Sequence, residues 1–70
     1  MPDSDIESVI ALSKEFDIPQ KECIKFYLDM YIFLQDSAPQ LYSSPSSLMN
    51  ESLKVTRDWA SVYRRDLDNR

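Results

Sequence analysis

Apolar positions recur along most of this chain at intervals of three and four, and that period marks helices. Ile6, Val9, Ile10 and Phe16 line one face of a first segment, widened by Ala11 and Leu12. Ser4 with Glu7 three residues later forms a capping-box pattern, in which two orphan amides are satisfied reciprocally. A helix over 4–16 follows. The second runs over 18–36, from "FDIPQKE", where Asp17 is placed to cap and Gln20 to answer it, to the break at Pro39. Pro19 is tolerated in its first turn, where no intrahelical donor is lost. The third, over 46–67, starts near Ser46 or Ser47; Met49, Leu53, Thr56, Ala60, Tyr63 and Leu67 form a heptad-like seam along it. Leu48, Val55, Trp59 and Val62 form a second stripe on an adjacent face.

The middle of the second helix breaks the amphipathic rule. "FYLDMYIFL", residues 26–34, carries one charge, Asp29, among eight apolar or aromatic side chains. A helix apolar all round needs cover all round, and two neighbours from the same short chain offer little. The expected architecture is therefore an all-α, small three-helix bundle that is dimeric. Tyr27, Met30, Tyr31, Phe33 and Leu34 are the expected dimer interface. The Ser/Pro-rich stretch over 37–46 reads as a connector within a single domain, 1–70.

Composition sharpens this picture. A 70-residue chain buries only about 60% of the surface its unfolded form exposes, so it leans on staples or association. One cysteine, Cys23, forbids an internal disulfide, and the absence of histidine leaves no conventional zinc site. The lone thiol and the acidic start "MPDSDIES" fit a cytoplasmic protein better than a secreted one. The longest apolar run is far shorter than the roughly 20 residues that span a bilayer, so no membrane association is expected. There is no glycine, which removes phosphate-cradling loops, dinucleotide fingerprints and EF-hand loops as function classes.

The net charge of −4 disfavours nonspecific nucleic-acid binding. Its distribution is uneven. Asp3, Asp5, Glu7, Glu15 and Asp17 face only Lys14 in the first 17 residues, whereas residues 46–70 carry a slight positive excess.

Catalytic chemistry has few candidates. Cys23 has no histidine to activate it and reads as a small helical hydrophobe. Asp29 must face water, pair with a cation such as Lys25, or hold its proton, and no second carboxylate is spaced for paired acid–base work. No catalytic residue, metal ligand or cofactor is expected. Binding is better served: "RDWASVYRR" gathers Arg57, Trp59, Tyr63, Arg64 and Arg65, residue types enriched at interface hot spots. The competing reading makes Trp59 a core anchor and the arginines solvated partners of a helix C-terminus. Asp58, Asp66 and Asp68 interleave with them and cancel a field suited to DNA.

Residues 2–31, through Leu12, Lys14, Glu15, Phe16, Ile18, Glu22, Ile24, Lys25, Leu28 and Tyr31, resemble the helix pair of the ribbon-helix-helix regulators and antitoxins. The resemblance implies second helices packed across a dimer axis, with no counterpart of the family's basic DNA-reading strand. Leu12, Phe16, Ile18, Cys23 and Phe26 also match a helix-turn-helix spacing, which would offer Gln20, Lys21 and Lys25 to a major groove. A ubiquitin-associated-type three-helix fold can be drawn over "KEFDI" as well. The function expected from all this is non-enzymatic: a small acidic regulator that binds another protein as an inhibitor, adaptor or antitoxin-like factor. The alternative is a dimeric DNA-binding regulator addressing phosphates through Lys14, Lys21 and Lys25.

Overall fold

A computed structural model describes the backbone of residues 2–42 and 44–70, and side chains from Ile6 onward except at residue 43. Three helices account for nearly all of it: α1 (Pro2–Phe16), α2 (Gln20–Ser37) and α3 (Pro45–Asp68). No strand occurs among the described residues. The helix at the start begins two residues ahead of the expected cap, and the side chain of Ser4 lies outside the described residues.

The α1–α2 turn is set by backbone geometry rather than by the expected cap. Asp17 adopts the left-handed conformation, φ 53°, the position where helices usually place glycine. The Asp17 amide donates to the Lys14 carbonyl at 3.3 Å and the Ile18 amide to the Ser13 carbonyl at 3.0 Å. These two bonds make a Schellman motif, and Ile18, only 7% exposed, drops into the core beside it. Asp17 is thus a C-terminal residue of α1 and not the N-cap of α2. That place falls to Pro19, which offers no side-chain cap. Ala38 and Pro39 end α2, and a turn closed by Leu41 to Ala38 at 3.0 Å leads to α3. Ser44 caps α3 by accepting from the Ser47 amide at 3.2 Å, with Pro45 as the first helical residue. The start signal is therefore the "SP" pair, two residues ahead of the expected one.

Each helix packs against both others. Val9, Ile18, Cys23, Tyr27 and Ala60 form the centre of the core, with Leu12, Phe16, Ile24, Tyr31, Leu53 and Trp59 packed around it. The buried stripe of α3 is Leu48, Ser52, Thr56 and Ala60, a run of i, i+4 steps dominated by small side chains. Its polar members are satisfied locally. The Ser52 hydroxyl donates to the Leu48 carbonyl at 2.8 Å and the Thr56 hydroxyl to the Ser52 carbonyl at 2.7 Å. Such back-bonding lets a hydroxyl enter a core without an orphan donor. On α1 the buried Ser13 does the same, reaching the Ile10 carbonyl at 2.6 Å.

The bundle is flat, with Cα extents of 40 × 23 × 14 Å. One consequence is that α2 has neighbours on one side only. Leu28 is 46%, Ile32 56% and Phe33 58% exposed. No described helix is long and apolar enough to cross a membrane.

Candidate functional site

The aromatic and arginine residues of α3 are largely engaged by the chain itself. Trp59 lies half-buried and stacks on Phe26 with ring centroids 4.6 Å apart and planes 10° from parallel. Tyr63 packs against the same ring, tilted by 48°, with centroids 5.1 Å apart. Arg57 grips Glu15 of α1 in a bidentate pair, donating to Oε2 at 2.7 Å and to Oε1 at 3.2 Å, and its guanidinium lies 5.6 Å from the centre of the Phe16 ring. Arg64 reaches back to the α1–α2 turn. It donates to the Asp17 carbonyl at 2.6 Å and to the Asp68 carboxylate at 2.6 Å, and lies 3.6 Å from the Asp17 carboxylate. The hydrogen bond to Asp68, ahead of the attraction of Asp68 and Asp17, holds its pKa above the usual arginine range. Arg65 stands exposed in the last turn, where a cation complements the helix dipole. The charge asymmetry between the two ends of the sequence is thus partly resolved inside one molecule.

The five residues expected at a dimer interface are divided. Tyr27 is 2% exposed and belongs to this chain's own core, because it shares the inward face of α2 with Cys23. Met30, Tyr31 and Leu34 are half-buried, and Tyr31 packs 6.1 Å from the Tyr27 ring. Phe33 is exposed. The other exposed apolar residues of α2, Leu28 and Ile32, fall on a different strip from Phe33.

Among the described residues, open depressions lie on either side of α3. The larger, about 370 Å³, runs between α1 and α3 and is lined by Ser8, Leu12, Asn50, Leu53, Lys54 and Arg57. Its floor is the leucine pair. Arg57 is committed to Glu15, and the exposed Lys54 ammonium is in no ion pair among the described residues. Periodicity within each helix pointed to Leu12 and Leu53 as core. It could not show that α1 and α3 diverge enough to leave a furrow between them. The smaller depression, about 170 Å³, is lined by Glu22, Lys25, Phe26, Asp29 and Trp59. Asp29 stands exposed on its rim and forms no ion pair with Lys25 or with an α3 arginine. Cys23 is fully buried, its thiol donating to the Val9 carbonyl at 3.5 Å. Burial pushes its pKa up, away from the thiolate a nucleophile needs. No group of three metal-ligating side chains gathers among the described residues.

Fold and surface together define a small protein of three helices, with no strand among the described residues and an apolar furrow between α1 and α3. Comparison with protein-family models, with curated proteins and with solved structures finds no match.

Proposed function

We propose that this chain is a non-catalytic binding protein, a small regulatory factor of the inhibitor, adaptor or antitoxin-like kind, which acts by holding another protein and is itself self-associating. The observation that carries the reading is apolar surface left uncovered on a chain with little to spare. Leu28, Ile32, Phe33, Leu41 and Val62 stand between 46% and 70% exposed. A 70-residue protein gains nothing in stability from aliphatic side chains in water, whereas contact with a second surface removes them from it.

The partner surface is the α1–α3 furrow. An apolar side chain seated over Leu12 and Leu53, with a carboxylate reaching Lys54, matches its chemistry, so the partner segment is acidic and amphipathic. Arg57 contributes its stem to the rim while its charge stays with Glu15. The experiment is affinity capture from the native host with the wild-type chain and with Lys54→Glu. A discrete partner recovered by the first and lost by the second, with helicity unchanged, supports the reading. Equal recovery by both overturns this surface, and no specific partner with either overturns the function.

A further inference from the structure

The outward strip of α2 has a polarity of its own. Lys21, Lys25, Leu28, Ile32 and Asp36 follow steps of four, three, four and four, so they share one face. All five are exposed. The strip is basic at its start, aliphatic in the middle and acidic at its end. Among the described residues no ion pair engages Lys21, Lys25, Asp29 or Asp36, although α1 and α3 pair Glu15, Asp17, Arg57 and Arg64.

We infer that α2 pairs with α2 of a second copy, antiparallel about a two-fold axis beside Leu28, with Lys21 of each copy meeting Asp36 of the other. The inference rests on the self-association proposed above and names its surface and direction. A two-fold axis makes every contact occur twice, so a patch must complement itself. With the axis between positions 28 and 29, position 21 falls opposite 36 and position 25 opposite 32. Leu28 then falls opposite Asp29 of the second copy, one position from its own symmetry mate, so the two leucines flank the axis. Ile32 is covered by the aliphatic stem of Lys25 of the second copy, whose ammonium stays in reach of water and carboxylates. A parallel pairing would set lysine against lysine and aspartate against aspartate, which like-charge repulsion disfavours. The same contact supplies what the flat bundle lacks, a neighbour for the outer side of its oiliest helix. Phe33 lies off this strip, toward the side of Phe26, and is not part of the contact.

Sedimentation velocity over a wide concentration range, at low and moderate salt, tests the arrangement with wild type, Lys21→Glu, Asp36→Lys and the double reversal on one chain. Surface charges of this kind leave the fold intact, and circular dichroism checks that they do. The expected result is a wild-type dimer, a dissociation constant raised about tenfold or more by either single reversal, and recovery in the double reversal. Rescue by the double reversal is specific to the antiparallel register, because a parallel pair would still set like against like. A dimer indifferent to all three variants overturns the inference and leaves self-association standing through another face. A wild-type monomer at every concentration overturns both.

Discussion

Ser52 is the position where the packing argument is most exposed to test. It is fully buried, 0% accessible, on the α3 stripe of Leu48, Thr56 and Ala60. Its hydroxyl bonds only to the carbonyl one turn back. Two substitutions separate its size from its polarity. Ser52→Ala removes one local hydrogen bond, worth about 0.5–1.5 kcal/mol net. It also gains helix propensity of about half a kcal/mol and leaves no partner stranded, because the Leu48 carbonyl keeps its backbone donor. The two effects largely cancel, and the expected change lies within about 1 kcal/mol. Ser52→Leu forces added carbons into a seam with no accessible room, which costs about 1–3 kcal/mol or more. Against a total of about 4–10 kcal/mol for a chain of this size, that is a large loss, equivalent to a fall in Tm of about 8–16 °C for a 2 kcal/mol penalty. Urea unfolding followed by Trp59 fluorescence and by circular dichroism reads both. Protein concentration is held constant because a self-associating chain is stabilised by mass action. If Ser52→Leu unfolded at the wild-type midpoint, the stripe would not be a close-packed seam. If Ser52→Ala cost as much as Ser52→Leu, the hydroxyl rather than its size would be what the position needs.

Asp17→Gly is expected to be neutral or slightly stabilising and Asp17→Ala to cost about 1 kcal/mol, since φ 53° suits glycine and penalises a Cβ without a polar group; thermal unfolding of the pair decides it. Glu15→Gln and Arg57→Ala should each change stability by under about 1 kcal/mol despite the short contacts, because both partners are about half exposed; an effect several times larger in urea titration would refute that. Cys23 should be silent to a thiol reagent in the native protein and react only on unfolding. Because its folded pKa is raised, its contribution to stability is complete below the pH at which a free thiol ionises and declines as pH rises through the folded value. Cys23→Ala should lessen that alkaline decline, as read by denaturant titrations across alkaline pH.

Much of the fold could be read from periodicity and punctuation. The three helices appear where apolar spacing placed them, and Pro39 ends the second close to where a breaker should. What periodicity missed was governed by interactions it does not encode. Ser52 and Ser13 belong to none of the apolar stripes, yet both are buried, because a hydroxyl that bonds to its own helix no longer needs water. Asp17 carried the right chemistry for a helix boundary but on the wrong side of it. Its tolerance of positive φ made it the end of α1, whereas a cap reading needed its carboxylate to accept from α2. On the surface, the hot-spot residue types Trp59, Arg57 and Arg64 were visible as such. Whether such residues face a partner or their own bundle depends on which helices approach them, and a single helix pattern does not carry that information. The α1–α3 furrow was hidden for the same reason.

The internal use of those arginines follows from what the chain lacks. With one cysteine and no histidine, it has neither a disulfide nor a zinc site to hold three helices together. Arg57 and Arg64 take over part of that task across the longest sequence separations, bonding Glu15 and Asp17 some forty positions away and so tying α3 to the end of α1. Exposed ion pairs contribute little energy each. Their geometric effect is larger, because a forked guanidinium fixes direction as well as distance. One tie ends on α1 at Glu15 and the other on the turn after it at Asp17, so together they fix the C-terminal end of α1 against α3. Helix α2 is held instead by Cys23, Tyr27 and the Phe26–Trp59 stack on its inner side. Among the described residues none of its own charges is spent on the other two helices. An α2 with Lys21 and Lys25 toward its start, Asp36 at its end and bare Leu28 and Ile32 between them is therefore the part of the molecule with most to gain from a second surface.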